Sequence, residues 1–351
     1  MKESVCFYMG YSPSFNGENY EEKKIYGSEI TTIKLAESLV DLYNVYIFLN
    51  IDLEDEIIYN NVHYLNSDKI NNFKEIDVMI IVRYINYFIY FKNIAKKTFI
   101  WLHDVTVQPS YDGKILISNG DHILYNLRDC YDKLIVLSNY HLNNNFDYIK
   151  VPVNKYRIIP NIQNINYYKS NIPIIKNRFI YMSDISRGFT ILLECLIYIQ
   201  KFIPDISLVV FREHEFTEDI RNKIKYLNNI SIYGKVGQEK IANECLQAEY
   251  FFYPTNFHET FCNCAAEAQL YNTVCIYNNI GALNTTIGNR GLCITHDLNS
   301  LNYIENTCND VMILMNDENK KKHFRTKGHE WAKTLDINNI KKEWLKLLKN
   351  D

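Results

Sequence analysis

The residues best placed to do chemistry lie between Pro254 and Ala268, in the run PTNFHETFCNCAAEA. A short apolar stretch ending at Tyr253 precedes the run and reads as a strand. Helix-forming residues follow from Thr260. The loop between them therefore ends at a helix N-terminus, where backbone N–H groups and the helix dipole favour an anion. The N–H groups of Thr260 and Phe261 are the candidates to hold a pyrophosphate or a sugar hydroxyl. Glu259 stands just before the helix, and Glu267 stands about two turns further along. Two carboxylates at different depths of one site suit several hydroxyls of one ligand. The spacing alone also fits a plainer arrangement, with Glu259 as a first-turn dipole partner and Glu267 as a surface residue.

Other residues of suitable type stand at strand ends. Ile100-Trp101-Leu102-His103-Asp104 closes an apolar run, which brings His103 to the end of a strand with Asp104 orienting the loop. A lone histidine there also fits a structural role. Gly27, before an amphipathic helix, lets backbone approach a ligand closely or simply makes a turn. Arg187 precedes another helix, and a guanidinium makes strong charge-assisted bonds to phosphate. Three signals carry less. The acidic run Asp52-Leu53-Glu54-Asp55-Glu56 suggests metal but reads better as a solvated loop. His258, Cys262 and Cys264 suggest zinc, yet residues two apart on a helix point nearly opposite ways and no second pair completes a set. No metal site is expected. The region after the first strand, around Gly10 and Gly17, has no GxGxxG, which argues against a nicotinamide dehydrogenase.

The elements that must position these residues alternate between strand and helix. Ser4–Met9, Val45–Leu49, Val78–Val82, Thr98–Leu102 and Lys133–Leu137 fit buried parallel strands, with a helix over Ser28–Leu42. The pattern then restarts. Strands are expected at Phe179–Met182, Ser207–Phe211, Asn229–Tyr233, Tyr250–Tyr253 and Val274–Tyr277. Helices are expected at Phe189–Phe202, Gln238–Ala248 and Thr260–Tyr271. Two α/β units follow, matching the two domains that 351 residues suggest. The best linker lies within Ile159–Ile174. Ligands of such open sheets bind outside the carboxyl ends of the strands, here in a cleft between the units.

Composition narrows the class. Hydrophobic residues make up 47% and charged residues 23%, so both units can build cores. A net charge of −3 gives no basic field for nucleic acid. Nine scattered cysteines without CxxC spacing fit reduced, buried thiols in a cytoplasmic protein. No leader-like segment opens the chain, and no run approaches the roughly 18 apolar residues of a membrane span.

The segment from Pro254 through Gly288 resembles the donor-site motif of the retaining GT-B glycosyltransferases of family 4: Pro-Ser/Thr, Glu-x-Phe, a seven-residue gap, Glu-Ala, a short strand and a Gly-containing turn. Glu259 and Glu267 match its two glutamates, which in the family contact the donor sugar and the nucleotide ribose. Tyr26-Gly27-Ser28-Glu29 resembles the N-terminal loop near the donor phosphates, with Tyr-Gly where Gly-Gly is common. His103 resembles the strand-end histidine beside the transferred sugar. Ile158-Ile159-Pro160-Asn161 resembles the hinge before the second domain, with Ile162 in place of Gly. The segment Tyr181–Gly188 resembles a phosphate-binding turn, with Ser183 and Asp184 where an Arg is common and Arg187 where Lys is. The Tyr233–Val236 turn, Val236 included, resembles the one lying against the nucleobase.

The resemblance spans about Gly27 to Gly291 and is stronger in the second half. It implies an α/β, GT-B fold of two Rossmann-like doubly wound domains: an acceptor-side domain over 1–162, a donor domain over 163–330, and a C-terminal helix in 331–351 packing back on the first. It also implies transfer of a hexosyl unit from a nucleoside-diphosphate sugar, UDP- or GDP-linked, to a glycan, lipid or protein acceptor. No cofactor would be required. A nucleotide-sugar epimerase or hydrolase, or an inactive sugar-binding scaffold of the same fold, are the alternatives.

Overall fold

The computed structural model describes residues 2–10, 12, 14–18, 20, 25, 27–50, 56–105, 123–149, 151–211 and 215–350. Tyr26 and residues 52–55 of the acidic run lie outside these. The chain divides into two compact units: 1–162 with 337–351, and 163–336. The second unit thus runs past the expected boundary at 330, because the helix Glu318–Lys333 packs within it.

In the first unit, strands β1 (Ser4–Tyr8), β2 (Asn44–Leu49), β3 (Ile57–Tyr59), β4 (Val62–Asn66), β5 (Ile76–Val82), β6 (Ala95–Trp101), β7 (Lys133–Val136) and β8 (Tyr156–Ile158) form one sheet in the order 3-4-2-1-5-6-7-8. All pairs are parallel except β3 with β4. Continuous burial along β1, β5 and the second half of β6 explains their unbroken apolar runs, since both faces of a parallel sheet are covered. Helix α1 (Gly27–Leu39) buries Ile33, Leu35, Ala36 and Leu39. The C-terminal helix α2 (Ile337–Asn350) belongs to this unit and packs on α1. Its Trp344 is fully buried and meets Trp101 of β6 edge-on, ring centroids 4.8 Å apart.

The second unit holds β9 (Ile175–Tyr181), β10 (Ser207–Phe211), β11 (Ile230–Tyr233), β12 (Ala248–Tyr253), β13 (Val274–Asn278) and β14 (Gly291–Ile294), all parallel, in the order 11-10-9-12-13-14. The strands β3, β4, β8 and β14, at or next to the sheet edges, are additions to the sequence reading. They are three to five residues long, too short for a clear period.

In each sheet the chain winds first to one side and then to the other. The reversal falls between β1 and β5 in the first unit, and between β9 and β12 in the second. Adjacent loops diverge at such a point and leave a crevice at the carboxyl ends of the two strands.

The β9–β12 register is fixed at the opposite end. An irregularity between Ala248 and Tyr250 turns Glu249 inward, where it accepts the Asn177 N–H of β9 at 2.8 Å. Lys321, with 1% of its side chain exposed, and Arg325 meet the same carboxylate at 2.9 and 3.2 Å. Burial weighs against the Glu249 charge, but these donors outweigh it and hold the carboxyl below its ordinary range. Removing the carboxylate takes one of two carboxylate partners from the buried Lys321 ammonium, which keeps Glu318 and the Met315 carbonyl, and leaves the Asn177 N–H without its acceptor. Glu249→Ala should cost roughly 3 kcal/mol in urea unfolding, and a change within experimental error would show that the cluster does not set the register.

Candidate functional site

The crevice of the second unit is built from the turns after β9 and β12. After β9, the Tyr181 hydroxyl donates to the carbonyls of Asp184 and Arg187 at 2.7 and 3.1 Å, and so shapes the turn. Asp184 Oδ1 accepts the Ser186 N–H at 2.8 Å and its hydroxyl at 2.6 Å. Gly188 then caps the helix Phe189–Gln200 at φ 93°, and a Cβ there would stand 2.3 Å from the Pro254 carbonyl oxygen. Glycine is required twice over, by the left-handed backbone and by the close approach of the two turns.

After β12, Thr255 Oγ1 accepts the Phe257 N–H at 2.9 Å, and the Glu259 N–H returns to the Phe257 carbonyl at 3.1 Å. The Glu259 carbonyl accepts the Ala282 N–H at 2.8 Å. Gly281, at φ 56°, admits this contact, because a Cβ would lie 2.7 Å from the Glu259 nitrogen. The Gly-containing turn of the motif thus presses on the backbone of its own first glutamate.

These turns bring Arg187 and Glu259 together. Arg187 Nη1 lies 3.0 Å from Glu259 Oε1, and its guanidinium carbon sits 3.9 Å from the centroid of the Phe257 ring. Glu259 is 8% exposed. Burial opposes the Arg187 charge, yet the Glu259 carboxylate more than compensates and raises the guanidinium above its ordinary value. Tyr253 Oη donates to the same Oε1 at 2.7 Å, and Ser183 Oγ lies 3.1 Å from that phenol. Among the described residues no hydrogen bond reaches Glu259 Oε2.

The helix after the loop spans Asn263–Leu270, so it begins later than expected. Cys262 adopts a left-handed conformation, φ 69°, which breaks the helical run and leaves Thr260 and Phe261 as buried loop residues. They are not its first turn, as the sequence suggested. Glu267 lies within this helix, partly buried. The Cys264 thiol is pushed up by burial and by the charges of Glu267 and Glu259, with Arg187 opposing. Cys264 Sγ also donates to the Met182 carbonyl at 3.1 Å, joining the helix to the end of β9. Val236 follows β11 and packs partly buried on the core, and Cβ atoms at Gly234 and Gly237 would meet nothing within 4 Å.

In the first unit, His103 follows β6 and lies beside the Trp101 ring, centroids 4.9 Å apart. Burial, then the charges of Arg83 and His141, lower its pKa to about 3, so its ring is neutral at ordinary pH. Arg83, following β5 at the reversal point, holds Asp104 with two bonds, Nε to Oδ2 at 2.6 Å and Nη2 to Oδ1 at 3.0 Å. The fully buried His141 accepts the Leu137 N–H at Nδ1 (3.2 Å) and faces the Asp104 carbonyl through Nε2 (3.1 Å). Asp104 therefore anchors the loop that carries His103. Gly27 opens α1.

The sequence missed Arg83, His141, Phe257 and Tyr253 as site residues. The tyrosine closes a wholly buried strand and reads as core. Among the described residues, no cluster of three or more His, Cys, Asp and Glu side chains is arranged to hold a metal ion, and no helix is long and apolar enough to cross a membrane.

No protein-family model and no curated protein sequence matches the chain. Solved structures match throughout. Sucrose-phosphate synthase from Thermosynechococcus elongatus superposes with a TM-score of 0.72 at 15% identity, over 99% of this chain and 98% of that one. Anabaena HepE, solved with UDP and glucose, gives 0.70 at 15%, over 99% and 100%. A glycosyltransferase from Rickettsia africae gives 0.69 at 15%, over the full length of both. The chain has the two-domain, Rossmann-like GT-B fold that these glycosyltransferases share.

Two predictions follow from this geometry. Gly188→Ala must move the Pro254 turn as well as bear a left-handed alanine. It should cost more than about 2 kcal/mol, and a thermal melt matching the native chain would show that the turns do not touch. His141 is lowered to about 4 by burial, with its bond to the Asp104 carbonyl opposing. The unfolded chain, with an ordinary histidine pKa of about 6.5, binds a proton that the folded chain refuses. This part of the stability is therefore complete above about pH 6.5 and is lost as pH falls, by roughly 3 kcal/mol once both states are protonated. Urea-unfolding free energy should drop from pH 7 to pH 5, and less steeply for His141→Gln. Equal slopes would remove His141 as the cause.

Proposed function

We propose that the chain is a retaining glycosyltransferase, moving a hexosyl unit from a UDP- or GDP-sugar to a glycan, lipid or protein acceptor. The observation that carries this reading is the meeting of Arg187 and Glu259 at the carboxyl ends of β9 and β12, where the strand order reverses. A cation and a carboxylate there suit the two halves of a nucleotide sugar. The HepE structure that this chain resembles holds UDP and glucose. Retention and the assignment of individual residues rest on the resemblance of Pro254–Gly288 to the family 4 motif.

The chemistry asked of the site is cleavage of the bond between the anomeric carbon and the diphosphate. The bonding pair leaves with the phosphate while positive charge builds on the sugar. Arg187 stabilises the leaving oxyanions through charge-assisted bonds. Glu259 accepts hydroxyls of the sugar through Oε2 and orients the reacting carbon. Glu267 holds the ribose, Thr260, Phe261 and Ser183 line the phosphate and sugar, and the Val236 turn lies along the base. In the first unit, Gly27 serves the donor phosphates. His103 serves the sugar as a neutral hydrogen-bonding group, which its low pKa maintains at physiological pH. The acceptor hydroxyl attacks from the face that the phosphate leaves and passes its proton to the departing phosphate oxygen, so no side chain is required as base.

The test is incubation with a panel of UDP-, GDP- and ADP-sugars, with and without glycan, lipid and peptide acceptors. Transfer that falls about 100-fold or more in Glu259→Ala supports both reaction and site. Free sugar or an epimer formed equally well without any acceptor replaces transferase by hydrolase or epimerase. Donor binding without turnover across the panel makes the chain a scaffold. Undiminished transfer in Glu259→Ala removes the site assignment.

A further inference from the structure

Glu259 is held in two different ways by two different groups. Arg187 is a long side chain, 35% exposed, that lies across Phe257 and reaches Oε1 from the surface. Tyr253 is the last residue of β12, 0% exposed, and reaches the same oxygen from the interior. Its ring is locked between the core and the neighbouring strand, with the Tyr181 ring centroid 6.2 Å away.

The direction of the bonds is fixed by chemistry. Burial first, then the neighbouring Cys262 and Glu259, push the phenol far above its ordinary pKa, so the hydroxyl keeps its proton. A carboxylate only accepts, so Tyr253 donates to Glu259. Ser183 Oγ must then donate to the Tyr253 oxygen, 3.1 Å away. The relay runs from Ser183 through Tyr253 to Glu259, and each bond polarises the next.

We propose that Tyr253 is the positioning residue for Glu259. It fixes the rotamer of the carboxylate from beneath, leaving Oε2 for the ligand and Arg187 at liberty to turn to the diphosphate. This rests on the reading of Glu259 as the ligand of the donor sugar. If Arg187 were the sole anchor, each bond it made to phosphate would release the carboxylate that aligns the sugar. With Tyr253 in place the two roles separate. The backbone is already fixed by Ala282 and Gly281, so only the side-chain torsions remain to be held. The Ser183 hydroxyl supports the phenol from the turn after β9, and both strands flanking the reversal thereby contribute to one carboxylate.

The experiment is a double-mutant cycle with Tyr253→Phe, Glu259→Gln and the pair, with folding checked by thermal melting. Binding of UDP-, GDP- and ADP-glucose is measured by calorimetry against free UDP, GDP and ADP, and kcat is measured for the best donor. Tyr253→Phe should weaken nucleotide-sugar binding or lower kcat about tenfold. Its affinity for the free nucleotide should stay within twofold, a split that general loosening of the core would not give. In the Glu259→Gln background, Tyr253→Phe should have no further effect. Equal losses for sugar nucleotide and free nucleotide, or effects that multiply in the double variant, overturn the proposal. Native behaviour of Tyr253→Phe beside an impaired Glu259→Gln overturns it alone. Native behaviour of Glu259→Gln, or no binding of any probe to the native chain, overturns the donor reading beneath it.

Discussion

The Arg187–Glu259 pair of the second unit depends on two parallel strands, β9 and β12, lying side by side. The chain leaves the two strands in opposite directions, so the loops after them diverge and frame a crevice at their carboxyl ends. The turns that follow must then share a small space. Gly188 against the Pro254 carbonyl is the tightest expression of that constraint. The register that produces it is held at the far end of the strands, where Glu249 binds the Asn177 N–H and gathers Lys321 and Arg325. The buried charge cluster at one end of these strands and the Arg187–Glu259 pair at the other, its carboxylate largely buried, depend on the same register.

The first unit uses the same strand arrangement for a different chemical end. Its strand-end loop is held by Arg83 on Asp104 and by His141 on the Asp104 backbone, and the histidine it presents is kept neutral by burial and nearby positive charge. The second unit instead presents fixed charges, Arg187 and Glu259.

Much of the sheet architecture was legible because parallel strands buried on both faces are unbroken apolar runs. Ser207–Phe211 is written in the sequence as it is found in the sheet, and Ser4–Met9 and Val274–Tyr277 differ from the strands only at one end. Of the edge strands only Ile230–Tyr233 was legible, since three or four residues such as Tyr156–Ile158 carry no period. The helix expected from Thr260 starts at Asn263 because Cys262 takes a left-handed conformation, which residue type gives no reason to expect.

At the site, the sequence by itself determined the residue types: two glutamates eight apart, an arginine before a helix, a histidine at a strand end. These follow from local chemistry and from spacing along one chain. Only the tertiary structure decided that Arg187 and Glu259 meet, that Asp104 answers to Arg83, and that a tyrosine indistinguishable from core donates its hydroxyl to the carboxylate. Each of those contacts joins residues on different strands or turns. For the Arg187–Glu259 and Arg83–Asp104 pairs the separation is set by sheet order and register, which no local pattern contains, and Tyr253 reaches Glu259 through the fold of its own turn.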